Sequence, residues 1–160
     1  MNNTEILIID DDEFVAESIS AILNELGYSN VYFDSADRGV EYFVKEKNPI
    51  LILDINLPKI SGIDILKEIK KINSMTQVIM MTGEREIQNV VSSLKFKATD
   101  FLLKPFSVQT VEIAIQRALD IYNLLREREL HEQRIETDLK LAAKVQKKLL
   151  LPSLPQKRVY

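Results

Sequence analysis

The chain has 160 residues and a formal net charge of −3, with no cysteine and a single histidine, His131. The missing thiols exclude disulfide frameworks and thiolate metal sites, and one histidine excludes a multi-histidine metal centre within one chain. An apolar fraction of 46% suffices for one globular domain with an appendage, yet no run approaches the roughly 20 apolar residues of a membrane span. The N-terminus, Met1-Asn2-Asn3-Thr4-Glu5, has neither the basic region nor the apolar run of a signal peptide, so a cytoplasmic location is expected. Charge is divided unevenly: 12 Lys/Arg against 19 Asp/Glu through Tyr122, then 9 against 5 from Asn123. The acidic part does not invite a polyanion, and mixed charge on a long helix is usually a solvated face. No direct nucleic-acid contact and no membrane contact is expected.

In chain order, Ile6-Leu7-Ile8-Ile9 is a continuous apolar run ending in acids, the pattern of a parallel strand covered on both faces. Val15, Ile19, Ile22 and Leu26 follow at helical spacing, and Gly27 closes that helix. Val31-Tyr32-Phe33 predicts a second strand, and Ser35 caps a helix that turns Val40, Phe43 and Val44 inward. Ile50-Leu51-Ile52-Leu53 predicts a third strand ending at Asp54. Ile63, Leu66 and Ile69 mark a third helix, and Val78-Ile79-Met80-Met81 a fourth strand. Val90, Val91 and Leu94 mark a fourth helix, and Phe101-Leu102-Leu103 a fifth strand ending at Lys104-Pro105.

Five βα units in about 115 residues predict an α/β fold, a doubly wound parallel sheet with right-handed crossovers. Sites in such sheets form outside the carboxyl ends of the strands. Asp10 and Asp11, Asp54, Thr82 and Lys104 all fall there, after strands one, three, four and five.

From Ser107 to Leu151 there is no Gly or Pro, which predicts a long helix, about 68 Å if continuous at 1.5 Å per residue. Val111, Ile115 and Leu119 can pack on the sheet. Beyond them, Ile121, Arg128, Ile135, Ala142 and Leu149 take one heptad core position, and Leu124, His131, Asp138 and Val145 the other. The ends of this seam are apolar and its middle polar, an imperfect coiled coil that Pro152 and Pro155 stop. The expected organisation is a domain over 1–122, a helical coiled-coil linker over 123–151 and a tail over 152–160. A parallel homodimer through the linker is expected.

Asp10, Asp11 and Asp54 bring three carboxylates together, and like charges ~4 Å apart repel by about 4 kcal/mol at an effective dielectric near 20. Such a cluster needs a counterion, and oxygen ligands on short side chains suit Mg²⁺, or Mn²⁺ in its place. Lys104 adds a point charge for phosphate, Thr82 a hydroxyl, and Gly83 an open backbone N–H. The pattern reads as a phosphoryl-transfer site without a bound nucleotide, since no GxxxxGK[ST] loop is present, and an ionised Asp can itself be the nucleophile in such chemistry.

Ile6–Asp12, Leu53–Gly62 (LDINLPKISG), Met81-Thr82-Gly83 and Phe101–Phe106 (FLLKPF) resemble the bacterial response-regulator receiver family over about residues 4–120. The resemblance implies a flavodoxin-like sheet of order 2-1-3-4-5 and phosphorylation of Asp54 by a histidine kinase or another phosphodonor. It implies Mg²⁺ held directly by Asp11, Asp54 and the backbone carbonyl of Asn56, with Asp10 acting mainly through water. It also implies that Thr82 turns toward the phosphoryl group, that Lys104 pairs with it, and that the Lys104-Pro105 peptide is cis. Phosphotransfer and autodephosphorylation would be its only chemistry, so no further enzyme activity is expected of the chain.

Two positions depart from the family pattern. Lys97-Ala98 stands where Gly-Ala is common, and the switch aromatic is Phe101, without a tyrosine hydroxyl. Asn56 and Glu84 occupy positions that tune phosphate lifetime in the family. Asp10–Asp12 could serve only to cap the first helix, and Phe101 could be ordinary core; a solvated or interfacial role suits His131 better than phosphorylation. A haloacid-dehalogenase phosphatase would place a second acid where Asn56 stands, and its nucleophile after the first strand rather than the third.

Ile135–Pro155 (IETDLKLAAKVQKKLLLPSLP) resembles the helical linker that leads into PP2C-type phosphatase domains of sporulation and stress-response regulators. The resemblance implies an output phosphatase domain beyond this sequence. The alternatives are a stand-alone receiver whose helix binds a partner directly, and a scaffold indifferent to phosphate.

Overall fold

Five short strands set the architecture: the runs 6–9, 50–54 and 77–82 are buried along their length, as parallel strands covered on both faces are, and the two edge strands are partly exposed. In the computed structural model, which describes residues 4–83, 88, 91 and 94–150, the five are β1 (Glu5–Ile9), β2 (Ser29–Phe33), β3 (Ile50–Asp54), β4 (Gln77–Thr82) and β5 (Asp100–Leu103). All pairings are parallel, in the order β2-β1-β3-β4-β5. The doubly wound sheet and its strand order are those expected.

The helices are α1 (Glu13–Glu25), α2 (Ala36–Glu46), α3 (Gly62–Ile72) and α4 (Val108–Leu150). Gln88, Val91, Leu94 and Lys95 are also helical, whereas Val90 lies outside the described residues. Side chains alternate along each strand, so the sheet divides the core in two. One layer joins Ile6, Ile8, Ile50, Ile52 and Ile79 to α1 and to Val111, Ala114, Ile115, Ala118 and Leu119 of α4. The other joins Leu7, Ile9, Leu51, Leu53, Val78 and Met80 to α2 and α3.

Helix ends follow local chemistry. Asp12 Oδ1 accepts the Phe14 and Val15 N–H groups, Ser35 Oγ the Arg38 N–H, and Ser61 Oγ the Ile63 N–H, so each closes an orphan donor. Gly27, at φ +86°, turns the chain after α1.

Three helix faces sit differently from the expected stripes. On α1 the buried residues are Ala16, Ile19 and Leu23, with Val15 and Ile22 only partly covered and Leu26 beyond the helix. On α2 Phe43 is buried and Val40 packs against the same core, but Val44 is 50% exposed. Gly39 takes the inward place instead: a Cβ there would lie 2.5 Å from Ile9 Cδ1, so the missing side chain lets α2 settle onto β1. On α3 Ile65, Leu66 and Ile69 are buried, and Ile63 is half-buried.

The chain divides into two units, 1–123 and 124–160. Within the second, the described residues are helical through Leu150. Leu124, Ile135, Val145 and Leu149 there are 63%, 47%, 49% and 70% exposed, so these apolar heptad positions are not buried among the described residues. Pro152 and Pro155, expected to stop the helix, and the tail over 152–160 lie outside the described residues. Among the described residues no helix is long and apolar enough to cross a membrane.

Candidate functional site

The carboxyl ends of β1, β3, β4 and β5 meet at one rim. β1 delivers Asp10, which is fully buried; its N–H donates to the Phe33 carbonyl at 3.2 Å, and its Oδ1 accepts the Asp12 N–H at 2.8 Å. Asp11, next in the chain, is exposed. β3 ends on Asp54, 5% exposed, whose Oδ1 accepts the Asn56 N–H at 3.2 Å. β4 ends on Thr82, 1% exposed, whose hydroxyl donates to the Gly83 carbonyl at 3.2 Å. Among the described residues, its chain neighbours aside, no atom lies within 4 Å of a Cβ added at Gly83.

After β5, the Lys104 N–H donates to the Thr82 carbonyl at 2.8 Å and locks the lysine to the neighbouring strand end. Its Nζ lies 3.4 Å from Asp54 Oδ2 and 3.8 Å from Asp10 Oδ2. The Lys104-Pro105 peptide is cis. Phe101, on the same strand, is half-buried against the α2/α3 core layer. Asn56 is exposed on the loop after β3, where it bridges to Ser61. Glu84 lies outside the described residues.

One carboxylate oxygen from each of Asp10, Asp11 and Asp54 falls within 4.8 Å of the others. Among the described residues Asp10 Oδ2 has no hydrogen-bond partner, buried as it is; Lys104 is near enough to attract it but too far to donate. Burial pushes the Asp10 carboxyl up to about 7; the Asp12 N–H and Lys104 oppose the rise, and the charge of Asp54 adds to it. Among the described residues, Lys104 is the one cation within ion-pair distance of Asp10 and Asp54. The orphaned Asp10 oxygen and the all-oxygen donor set fit a hard divalent cation, which would supply the missing charge.

Gly62 is a site-shaping residue that the sequence pattern did not single out. Its N–H donates to the Ile55 carbonyl at 2.8 Å, folding the loop after β3 back onto the strand end. A Cβ there would lie 2.3 Å from the Asp54 carbonyl oxygen and 2.8 Å from Ile55 Cα. Its signal was its place at the end of the Leu53–Gly62 motif, which gave it no role of its own and is silent about how near the Asp54 backbone comes.

A family model for the response regulator receiver domain matches residues 6–116. The chain belongs to the response-regulator receiver family. These are the receivers of two-component systems, which take phosphate on an aspartate from histidine kinases. The chain is 32% identical over 136 residues to the transcriptional regulatory protein DltR of Streptococcus agalactiae, covering 83% of this chain and 60% of that protein. It is 30% identical over 128 residues to the regulatory protein AtoC of Escherichia coli, covering 79% of this chain and 28% of that one. The chain therefore spans between about a quarter and three fifths of the length of these relatives. Among solved structures it resembles a receiver domain protein from Clostridium thermocellum, 35% identical with a TM-score of 0.73, over 76% of this chain and 98% of that one.

Because Asp10 carries an unpaired buried oxygen in a like-charged cluster, Asp10→Asn is expected to stabilise this receiver when divalent cations are chelated. The gain should be on the order of 1 kcal/mol, read as a rise in Tm in EDTA that shrinks or reverses when Mg²⁺ is added. A lower Tm in EDTA would show that the cluster carries no strain.

Proposed function

We propose that Asp54 is the phosphoacceptor of this receiver and that Asp10, Asp11 and Asp54 form a Mg²⁺ site around it. The observation that carries this proposal is the Asp54 carboxylate at the end of β3, 3.4 Å from Lys104 and within 4.8 Å of two further carboxylates. Asp11, Asp54 and the Asn56 backbone carbonyl would hold the cation, with Asp10 reaching it through water. A cation held by these residues, Mg²⁺ or Mn²⁺, would supply positive charge against the phosphoryl oxygens.

The protein's own groups account for the rest. Asp54 attacks the phosphorus of a phosphohistidine; the P–O bond forms as the P–N bond breaks, and its electron pair stays on the departing imidazole. Lys104, tied through its backbone to Thr82, meets the phosphoryl group as a fixed positive charge. Thr82 and the Gly83 N–H offer donors to the same group, and Phe101 follows Thr82 as the switch aromatic. Asn56 and Glu84 set the lifetime by ordering water, which favours a short-lived phosphoryl group. A small phosphodonor with Mg²⁺ is expected to label the chain and Asp54→Asn to abolish the label; a label that survives the substitution assigns the acceptor elsewhere.

The helix from residue 124 carries the signal onward in this proposal. Its apolar heptad positions are exposed in the single chain, which supports a parallel homodimer in the cytoplasm, and its polar middle keeps the pairing weak enough for phosphorylation to bias. Light scattering should show a dimer whose population changes on addition of beryllofluoride; a monomer under both conditions refutes it. The output we assign is a PP2C-type phosphatase domain, on the resemblance of Ile135–Pro155 to the linkers that precede such domains. The reading frame is then expected to run on past Tyr160 into a metal-dependent phosphatase, and a stop codon directly after Tyr160 would exclude that output in favour of a stand-alone receiver.

A further inference from the structure

Away from the acidic rim, the C-terminal turns of α3 and the turn before β5 enclose a shallow cavity of about 370 Å³ lined by Lys67, Lys70, Lys71, Lys95, Phe96 and Lys97. Five lysines around one concavity, in a chain whose net charge is −3, is a concentration of charge that neither the fold nor phosphoryl transfer requires. We infer that this cavity binds the phosphate groups of an oligophosphate anion, either inorganic or carried by a nucleotide.

Part of the cluster has local work. Lys70 donates to the carbonyls of Ser74 and Thr76, and Lys70 and Lys71 complement the carbonyl end of α3. Lys67 lies 3.8 Å from Asp64 and over the Phe96 ring at 4.1 Å. Lys95 and Lys97 have no such duty: among the described residues no carboxylate lies within ion-pair distance of either. Lys97 moreover sits at φ +67°, in the left-handed region that glycine fills without cost. A side chain kept where its absence would relieve the backbone points to a use for that side chain.

The positive field is also self-opposed. Lys70 is partly buried, and burial, with the nearby charge of Lys97, lowers its pKa to about 8. An anion seated among these ammonium groups would relieve that repulsion. Lysine, with a compact charge on a flexible stem, is a point-charge partner for phosphate, and the cavity lies within the ~300–1,000 Å³ range of small-ligand sites. The exposed Phe96 ring beside the lysines is placed to meet a base, should the phosphates carry one.

The test is calorimetric titration of the full chain, in EDTA, with inorganic tripolyphosphate and separately with ATP. Both are expected to bind, with affinity falling roughly tenfold or more as salt rises from low to physiological ionic strength. The double variant Lys95→Ala/Lys97→Gly should weaken binding about tenfold, while its Tm holds or rises and its labelling by a small phosphodonor is unchanged. That last readout separates this site from the Asp54 pocket. ATP binding no tighter than tripolyphosphate assigns the site to phosphate groups alone; tighter binding that Phe96→Ala erases assigns a nucleotide. Failure of both probes to saturate, wild-type affinity in the double variant, or equal competition by oligoglutamate of matched charge would each overturn the proposal.

Discussion

The receiver turns on one electrostatic constraint: the Asp10, Asp11 and Asp54 carboxylates share one rim, and Lys104 is the cation that faces two of them. Such a cluster is intrinsically unfavourable, and the parallel sheet sustains it. β1, β3 and β5 are fixed by core residues that water does not reach, so the strand ends cannot move apart to relieve repulsion without breaking that core. The cost of gathering the charges is thus carried by Ile6, Ile8, Leu51 and Ile52, among others, and among the described residues Lys104 alone pairs with the buried carboxylates of the rim. A site built this way favours whatever adds positive charge to it.

That division of labour explains which features the sequence revealed. Continuous apolar runs have one reading in a chain of this length, so the strands, their order of appearance and the polar residues that follow them were legible directly. Helix faces were less so, because α1 and α3 carry several apolar residues at overlapping spacings and a stripe can rotate by one position without losing its period. On α2 the determinant was Gly39, whose role depends on how near Ile9 comes, a distance no local pattern encodes. Gly62 is the same case at the site itself. The lysine cavity escaped for a third reason: Lys67, Lys70 and Lys71 meet Lys95 and Lys97 only because α3 and the turn before β5 adjoin.

Substitutions at family positions take their meaning from this frame. Lys97 where glycine is common keeps the left-handed backbone that the turn requires and adds a charge to it. The left-handed conformation is kept at the energetic cost a Cβ brings there. Phe101 where tyrosine is common retains burial against the α2/α3 layer but presents no hydroxyl. Any movement it makes is then governed by apolar contact alone.

The strand that carries Lys104 also bears on the helix that leaves the domain. At its far end, Asp100 accepts a hydrogen bond from Arg117 of α4 at 2.6 Å, so β5 spans from an ion pair with α4 to an ion pair with Asp54. Arg117 is largely exposed, and exposed pairs contribute little on their own. The stronger tie between sheet and helix is the apolar seam of Val111, Ala114, Ile115 and Ala118, all buried. A rearrangement at Lys104 that left this seam intact would therefore alter α4 only slightly. For a phosphoryl group to act through so rigid a joint, the element that responds must be one whose states differ by little free energy. Beyond the seam, Arg128, His131 and Asp138 interrupt the apolar positions of α4, and among the described residues no side chain after Leu125 is buried.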